Sequence, residues 1–253
     1  MSLPKETDWN KFNTPEWYDY YYFADKVGKS FRRADGSIEY WGYRNPDGAW
    51  SGCKPIVEAW KTIFQPKNML DVGAGRGQFI TAARKVGIKA DGFDFSVFAV
   101  NEGRDPQCKP EWLRVHDATK RWPYADKSFE LVVALDFWEH IYQEDLQFVM
   151  EEMFRVAGKW VFLQIAVAGS GGLQGRSDKG YAFAKDQKVP IELEGCAVAG
   201  HVTIVNAETW EQWLDHDDWL IRRDLVNYFI SLVDPSIIRN WLLNMMLVYE
   251  RIE

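Results

Sequence analysis

A short apolar strand that runs directly into a glycine-rich turn and then a helix constrains this chain more than any other feature. Residues 69–72 read Met-Leu-Asp-Val, residues 73–77 read Gly-Ala-Gly-Arg-Gly, and residues 78–86 have helical composition before Gly87. Glycine lets the backbone turn tightly and approach a ligand closely, and a glycine after the last apolar residue is typical of a helix end. The pattern predicts a strand, a turn of the phosphate-binding type and a helix, as in α/β domains.

The chain after residue 67 alternates between strand and helix patterns. Near-continuous apolar strands separated by helices are typical of a parallel sheet covered on both faces. The last two strands follow one another without a full-length crossover helix, which predicts an antiparallel addition at one edge. Further strands are predicted at residues 89–95, 112–116, 129–137, 160–167, 220–229 and 245–252, and helices at 51–64, 98–103, 144–156, 209–214 and 234–241. We expect a Rossmann-like α/β fold, a doubly wound seven-stranded mainly parallel sheet with an antiparallel C-terminal strand.

Composition and charge exclude several classes of protein. Apolar residues make up 47% of the chain, and no run approaches the roughly 18 consecutive apolar residues of a membrane helix. The net charge of −7 disfavours nucleic acid as a partner, because binding to its backbone needs clustered cations. The three cysteines are far apart and form neither a zinc nor a disulfide pattern. With a polar N-terminus in place of a secretory signal, these features predict a cytoplasmic protein that does not bind membranes.

An aromatic-rich leader, residues 1–66, precedes the alternating region, which we expect to form one domain at residues 67–253. The leader is short for a separate domain, so we interpret it as a helical lid or flank with a turn at residues 33–37. Its three consecutive tyrosines at residues 20–22 have two interpretations. Packing of an aromatic helix face on the sheet is favoured, and stacking on a sugar or aromatic ligand is the alternative.

The glycine turn departs from the pattern that binds nicotinamide dinucleotides. That pattern, Gly-x-Gly-x-x-Gly, needs a glycine where this chain has Gln78. The third glycine, Gly77, comes one residue early, and Asp71 precedes the first glycine by two residues. A nicotinamide-dependent oxidoreductase or epimerase is therefore disfavoured.

Four aspartates follow the predicted strands at similar spacing. Asp94 lies 23 residues after Asp71, Asp117 lies 23 residues after Asp94, and Asp136 follows 19 residues later. The carboxyl ends of parallel strands share one edge of the sheet, where such folds bind their ligands. The two acceptor oxygens of Asp94 suit a ribose diol. A helix cap explains any one of these acids alone, but four in register indicate a ligand site.

Together these motifs resemble those of class I S-adenosylmethionine-dependent methyltransferases. The resemblance extends from about residue 67 to the C-terminus, and Glu130 stands where the family usually has aspartate. More narrowly, the pair Glu139-His140 and the segment 201–203 are similar to methyltransferases of glycan and small-metabolite biosynthesis. The matching segments are residues 70–77, 92–96, 117–118, 122–130, 134–141 and 151–156.

The resemblance implies S-adenosylmethionine as the cofactor and a role for several acids. Asp71, with the amides of the glycine turn, would hold the methionine end of the cofactor. Asp94 would bind the ribose hydroxyls and Asp117 the adenine amino group, with Phe95 and Ala118 packing on the base. Carboxylates also suit a cofactor that carries a sulfonium cation. The complete predicted cofactor site consists of Asp71, Gly73, Ala74, Gly75, Gly77, Asp94, Phe95, Ser96, Asp117, Ala118, Asp136 and Phe137.

Two histidines, His140 and His201, are candidate catalytic residues. If the methyl group goes to a hydroxyl, a histidine that takes its proton contributes a factor of about 10²–10⁴. His140 follows the fourth predicted strand beside the cofactor site, and His201 follows a glycine-rich loop; each is otherwise a packed residue or a helix start. We expect His116 and His216 to be structural or solvated, and we expect no metal ion. The irregular segment 168–200 is expected to roof the acceptor pocket.

We therefore expect an enzyme that transfers a methyl group from S-adenosylmethionine to an oxygen, or a nitrogen, of a small-molecule or glycan acceptor. Oxygen is favoured because two candidate bases are present. A protein methyltransferase is one alternative. The other is a non-catalytic cofactor-binding module that serves a partner protein.

Overall fold

The protein is described by a computed structural model that covers residues 5–6, 11–23, 29–32, 38–41, 53–169, 180–187, 200–239 and 241–252. The strands of these residues are β1 (Lys5–Glu6), β2 (Lys29–Arg32), β3 (Ile38–Trp41), β4 (Asn68–Val72), β5 (Lys89–Asp94), β6 (Leu113–Val115), β7 (Phe129–Leu135), β8 (Ala157–Ile165), β9 (Tyr181–Ala182), β10 (Thr203–Ile204), β11 (Trp219–Ile221) and β12 (Met245–Arg251). The α-helices are α1 (Tyr20–Phe23), α2 (Cys53–Phe64), α3 (Gln78–Lys85), α4 (Val97–Val100), α5 (Gln143–Val156), α6 (Ala207–Trp213) and α7 (Arg223–Leu232). None of these helices combines the length and apolarity needed to cross a bilayer.

A seven-stranded sheet forms the centre of the fold, in the order β11-β12-β8-β7-β4-β5-β6. The five strands from β8 to β6 run parallel to one another. β12 runs antiparallel to both β8 and β11, between which it lies. This topology confirms the predicted fold class, including the antiparallel C-terminal strand.

Helices cover both faces of this sheet, because the buried strands alternate their apolar side chains between two cores. On β8, Leu163 points to the core that contains α5 and α6, whereas Phe162 points to the core that contains α2, α3 and α7. On β4, Leu70 packs in the core with α5 and α6, and Met69 packs in the core with α2, α3 and α7. A strand with a period of two and both faces apolar must be covered on both sides, as the sequence indicates.

The C-terminal region corrects two predictions. Residues 220–229 are not a strand: β11 ends at Ile221 and α7 follows, because Leu225, Phe229 and their neighbours recur with helical spacing and pack on the sheet. A ten-residue helix therefore does connect the last two strands. The predicted helix at 234–241 is also wrong, because Asp234 accepts the N–H groups of Ser236 and Ile237 in a tight turn. Only a short 3₁₀ turn at Trp241–Leu243 follows.

The leader forms an aromatic cluster against α4. Trp17, Tyr18, Tyr22 and Phe23 are buried together with Ala99 of α4. Their backbone is attached as well, since Ser96 Oγ donates a hydrogen bond to the Tyr18 carbonyl. β2 and β3 pair antiparallel, and the turn predicted between them at residues 33–37 lies outside the described residues. The other predicted elements are confirmed with boundaries that differ by a few residues.

Candidate active site

One cavity of about 440 Å³ lies where β4, β5 and β7 end at the carboxyl edge of the sheet. Its wall combines three regions of the chain: residues 12–23 of the leader, the loops that follow the parallel strands, and residue 185 of the segment 168–200. A pocket of this size and mixed apolar and charged lining suits a small-molecule ligand.

The glycine turn brings the backbone to the cavity through conformations that only glycine adopts easily. Gly73, Gly75 and Gly77 have φ values of +69°, +52° and +79°. A Cβ on Gly73 would stand 2.7 Å from a ring carbon of Phe137, and a Cβ on Gly77 would stand 2.7 Å from Cys108 Sγ. Left-handed φ and close approach therefore both require glycine here.

Asp94 ties the end of β5 to the glycine turn and also faces the cavity. Its Oδ2 accepts a hydrogen bond from the Gly75 N–H, and its Oδ1 accepts one from the Ser96 N–H, both at 2.7 Å. Burial raises the pKa of Asp94, while these N–H donors act in the opposite direction. The carboxylate is thus held rigidly at the cavity wall.

Asp117 and Ala118 form the wall beside Asp94. Asp117 Oδ1 accepts hydrogen bonds from the backbone N–H of Thr119 at 2.9 Å and from its hydroxyl at 2.8 Å. Within the described part of the chain, Oδ2 makes no hydrogen bond. One oxygen is therefore used to orient the side chain, and the other is available to a ligand.

Asp71 lies beneath the glycine turn and is only 2% exposed. Its Oδ2 is buried without a hydrogen-bond partner among the described residues. Burial, together with the negative charge of Asp94, raises the pKa of Asp71 to about 8. A buried unpaired carboxyl is costly, so a proton or a bound cation must compensate it.

Asp136 directly follows β7 and has a left-handed backbone conformation, φ +46°, which is rare for a residue other than glycine. Its N–H donates to the backbone carbonyl and to the side-chain oxygen of Gln164, at 3.0 and 3.1 Å. Burial raises the pKa of Asp136 to about 6. Burial and the neighbouring charge of Asp136 raise the pKa of Glu139 well above its usual range. Such strain and desolvated acids concentrate at functional sites.

His140 lines the cavity and is held through one ring nitrogen. Its Nδ1 lies 3.1 Å from the Gly200 carbonyl oxygen and 3.1 Å from the Tyr18 hydroxyl. Burial lowers the pKa of His140 to about 4, against the opposing effect of the Gly200 carbonyl. The imidazole is therefore neutral at physiological pH and is able to accept a proton.

His201 packs behind His140, with ring centroids 4.8 Å apart and the planes nearly perpendicular. It is 2% exposed and does not line the cavity. Burial lowers the pKa of His201 well below its usual range, and the neighbouring His140 adds to this effect. Only His140 of the two candidate bases therefore faces the cavity.

Comparison with known families identifies the chain. A family profile described as a methyltransferase domain matches residues 37–221, which is well over half of the sequence. The chain belongs to this methyltransferase family. Together with the seven-stranded sheet, this makes it a class I S-adenosylmethionine-dependent methyltransferase, with S-adenosylmethionine as the methyl donor. No curated protein sequence matches the methyltransferase.

Two solved structures of plantazolicin methyltransferases share the fold of the methyltransferase at low sequence identity. The plantazolicin methyltransferase BpumL, in complex with a triazolic desmethylPZN analog and SAH, aligns with a TM-score of 0.54 and 12% identity over 83% of this chain and 86% of that chain. BamL, in complex with the same type of analog and SAH, aligns with a TM-score of 0.51 and 12% identity over 79% and 85%. The PH0226 protein of Pyrococcus horikoshii OT3 is 22% identical with a TM-score of 0.41; the alignment covers 46% of this chain and about half, 54%, of that chain.

The structure divides the predicted cofactor residues of the methyltransferase into two groups. The first group lines the cavity and consists of Gly73, Gly75, Asp94, Phe95, Asp117, Ala118, Asp136 and Phe137. The second group supports the wall from behind and consists of Asp71, Ala74, Gly77 and Ser96. Ser96, for example, is fully buried and accepts the Ala99 N–H at 2.9 Å as the cap of α4.

Several residues of the cavity wall have no recognisable motif in the sequence. Asn13 and Tyr18 reach His140 from the leader, and Lys185 pairs with Asp145 at 2.8 Å on the opposite rim. The aromatic enrichment of the leader was the one signal in the sequence that pointed to its importance. Of the segment 168–200, residues 170–179 and 188–199 lie outside the described residues, and Lys185 is its contribution to the wall.

Proposed function

We propose that the methyltransferase transfers the methyl group of S-adenosylmethionine to a hydroxyl oxygen of a small-molecule or glycan acceptor, with His140 as the general base. The observation that carries this proposal is the position of His140 on the cavity wall as a neutral imidazole. A neutral histidine beside the acceptor is the usual means of taking a hydroxyl proton. The leader and the main domain, divided near residue 66, both contribute to the site in this proposal.

The buried acids fit the charge of the proposed cofactor. When bound, S-adenosylmethionine supplies an electrophilic methyl group on a positively charged sulfur. Asp71 has a buried oxygen without a partner among the described residues, and a cationic ammonium group nearby would stabilise its ionised form. The open backbone of Gly73 and Gly75 suits the methionine carboxylate, since a side chain at Gly73 would meet Phe137.

The opposite part of the wall fits the adenosine portion. Asp94 is held by two backbone N–H groups with its oxygens at the cavity, which suits a pair of ribose hydroxyls. Asp117 keeps one oxygen available for an amino group. Phe95, Ala118 and Phe137 supply apolar surface for the base.

The remaining wall suits a compact acceptor with an apolar or sugar surface. Tyr18, Tyr22 and Phe12 of the leader face the cavity together with His140. Aromatic faces pack on both sugar rings and phenols. The net charge of −7 and the acidic lining disfavour a nucleic acid, whose phosphates they would repel. We therefore propose a small acceptor. A location in the cytoplasm is a separate part of the proposal.

The chemical step then needs little beyond orientation and one proton transfer. The acceptor oxygen forms a bond to the methyl carbon as the carbon–sulfur bond breaks, and both electrons of that bond remain on sulfur. The hydroxyl proton passes to Nε2 of His140, and the imidazolium later returns it to water. Because His201 lies behind His140 and outside the wall, we assign the base to His140 and a supporting role to His201.

The proposal is tested first by binding and then by transfer. Thermal unfolding with S-adenosylhomocysteine at about a hundredfold over Kd should gain about 2.7 kcal/mol, roughly 5–10 °C for a chain of this size, whereas NAD should give no shift. Methyl transfer from labelled S-adenosylmethionine is then assayed against phenols, sugars, amines and an unfolded polypeptide. Label in hydroxyl compounds supports the proposal, whereas label in the polypeptide alone, or binding without turnover, overturns it.

Two histidine variants isolate the base. His140→Gln should lower kcat by about 10²–10⁴-fold and leave the Kd of S-adenosylhomocysteine within about twofold, because the proton acceptor alone is lost. His216→Gln is the matched control, since His216 does not line the cavity. An unchanged kcat in His140→Gln would remove His140 from the mechanism.

A further inference from the structure

Three segments that are far apart in the sequence meet at one nitrogen atom of His140. Nδ1 lies 3.1 Å from the carbonyl of Gly200 and 3.1 Å from the hydroxyl of Tyr18. The Tyr18 hydroxyl also forms a short hydrogen bond to Asn13 Oδ1. Asn13 closes the ring of contacts, since its Nδ2 donates to the backbone carbonyl of His140 at 2.9 Å.

These contacts have one consistent assignment of hydrogen atoms. Because a carbonyl only accepts, Asn13 must present its NH₂ group to the His140 carbonyl, which leaves Oδ1 facing Tyr18. Oδ1 also only accepts, so the Tyr18 hydroxyl donates its hydrogen to Asn13. The oxygen of Tyr18 then acts as an acceptor toward Nδ1, as does the Gly200 carbonyl. The proton of the neutral imidazole therefore lies on Nδ1.

We propose that Asn13 and Tyr18 are positioning residues of the leader that hold His140 with its proton on Nδ1 and with Nε2 free to take the proton of the acceptor. This inference rests on the proposed role of His140 as the base. Within the described residues, Nε2 makes no hydrogen bond, and His140 lines the cavity, so we assign the free lone pair of Nε2 to the acceptor. During transfer the acceptor O–H bond breaks, Nε2 gains the proton, and the Nδ1–H bonds to Tyr18 and Gly200 stabilise the resulting imidazolium.

The surroundings of Tyr18 hold it in this position. Its ring packs edge-on against Tyr22, at 4.9 Å between centroids, and against His140, at 5.8 Å. A Cβ on Gly200 would stand 2.6 Å from the Tyr18 hydroxyl oxygen, so the close approach depends on glycine at this position. The leader therefore contributes to the orientation of the base as well as to the wall of the site.

The proton assignment is tested without any turnover. Long-range ¹⁵N–¹H correlation spectra of the full-length protein at pH 7 distinguish a protonated Nδ1 from a protonated Nε2, and the spectrum of His140→Gln identifies the His140 signals. We expect the Nδ1–H form for His140. A predominant Nε2–H form would overturn the inference, whatever the outcome of the activity assays.

The positioning role is tested with Tyr18→Phe, which keeps the aromatic ring and removes the hydroxyl. We expect kcat to fall roughly tenfold, the effect of one hydrogen bond in the transition state, with the Kd of S-adenosylhomocysteine changed by less than about twofold. Asn13→Leu should likewise lower kcat and leave the Kd of S-adenosylhomocysteine nearly unchanged. This second variant tests the positioning role even if Tyr18→Phe does not fold. The matched control is Tyr20→Phe, because Tyr20 is two residues further along the leader and is 54% exposed.

The pH profile separates positioning from a general loss of structure. If the Tyr18 oxygen accepts the Nδ1 proton, its removal disfavours the imidazolium, so the acid limb of kcat/KM in Tyr18→Phe stays in place or moves to lower pH. A shift to higher pH would mean that the hydroxyl donates to the imidazole, which overturns the inference. An unchanged kcat in Tyr18→Phe, beside a large loss in His140→Gln, would refute positioning by Tyr18 while the base remains.

Discussion

Gly73, the first glycine of the turn, lies so close to Phe137 after β7 that a Cβ on Gly73 would stand 2.7 Å from Phe137 Cδ2. Gly73→Ala should therefore displace the ring at the cavity and weaken binding of S-adenosylhomocysteine at least tenfold, in addition to a backbone cost of about 1–2 kcal/mol for a left-handed residue. Isothermal titration calorimetry measures the Kd.

Gly169→Ala is the matched control for this substitution. Gly169 has a similar φ of +74°, but a Cβ there would meet no atom of the described residues within 4 Å. In this variant the free energy of unfolding should fall by the backbone cost alone, and the Kd of S-adenosylhomocysteine should be unchanged. Equal losses of affinity in the two variants would show that the contact with Phe137 is unimportant.

Asp94→Asn should weaken cofactor binding although it changes few atoms. Both oxygens of Asp94 accept backbone N–H groups, and an amide would direct its own NH₂ toward one of them. Hydrogen bonds to a charged group contribute about 1.5–3 kcal/mol, so we expect the Kd of S-adenosylhomocysteine to rise roughly 10- to 150-fold. Asp91→Asn on the same strand breaks an ion pair with Arg84 instead and should leave the Kd unchanged.

Asp71 should make the unliganded protein less stable as the pH rises. Its carboxyl has a pKa of about 8 in the folded chain, against an ordinary value of 3.8. Between these values the folded state binds a proton that the unfolded state has lost, so the free energy of unfolding falls with increasing pH, by up to about 1.4 kcal/mol per unit.

Urea unfolding at pH 5, 6.5 and 8 measures this slope. Asp71→Asn should flatten the fall relative to the native sequence, because the titrating group has been removed. Asp186→Asn, at an exposed position, should retain the native slope. A parallel response of both variants would contradict the perturbed carboxyl at residue 71.

The reaction rate should remain high under mildly acidic conditions. His140 must be neutral to accept a proton, and burial lowers the pKa of His140 to about 4. With S-adenosylmethionine saturating, so that the bound cofactor keeps Asp71 ionised, we expect kcat/KM for the acceptor to change little from pH 8 to pH 5.5 and to decline with an apparent pKa near 4. Circular dichroism at each pH separates this decline from unfolding. A midpoint near 6.5, the ordinary histidine value, would show that the base is solvated or is another residue.

Glu152 of α5 should contribute strongly to stability, although it does not line the cavity. Its buried carboxylate accepts the Trp122 N–H at 2.6 Å and two guanidinium hydrogen bonds from Arg155 at 2.8 Å. Removing one partner of a buried pair costs about 3–5 kcal/mol, so Glu152→Ala should lose that much free energy of unfolding in urea. Glu151→Ala, at the adjacent exposed position, should change it by less than about 0.5 kcal/mol.

Local patterns in the sequence were sufficient for the sheet and for the glycine turn. The apolar strands alternate between two cores with a period of two, and glycine occupies the three positions of positive φ in the turn, residues 73, 75 and 77. These are properties of neighbouring residues, so periodicity and spacing reveal them. The placement of Asp94, Asp117 and Asp136 on one cavity follows from the same reasoning, because parallel strands end at a common edge.

The failed strand prediction at residues 220–229 was decided by contacts between distant residues. Residues 220–229 have apolar content compatible with either a strand or a helix, and packing of Phe229 on the sheet, in the core shared with α2, selects the helix. In the same way, only packing distinguishes His140 at the cavity from His201 behind it.

The sequence by itself determined the parallel sheet, the glycine turn and the row of acids, because each is set by residues close together in the chain. The tertiary structure decided which of the two candidate bases, His140 or His201, faces the cavity and which tyrosine contacts that base. Tyr18 and His140 are 122 residues apart, and their 3.1 Å contact exists only because the leader packs on α4 beside the end of β5. No local propensity encodes a contact of that separation, since the whole fold is needed to bring the two side chains together.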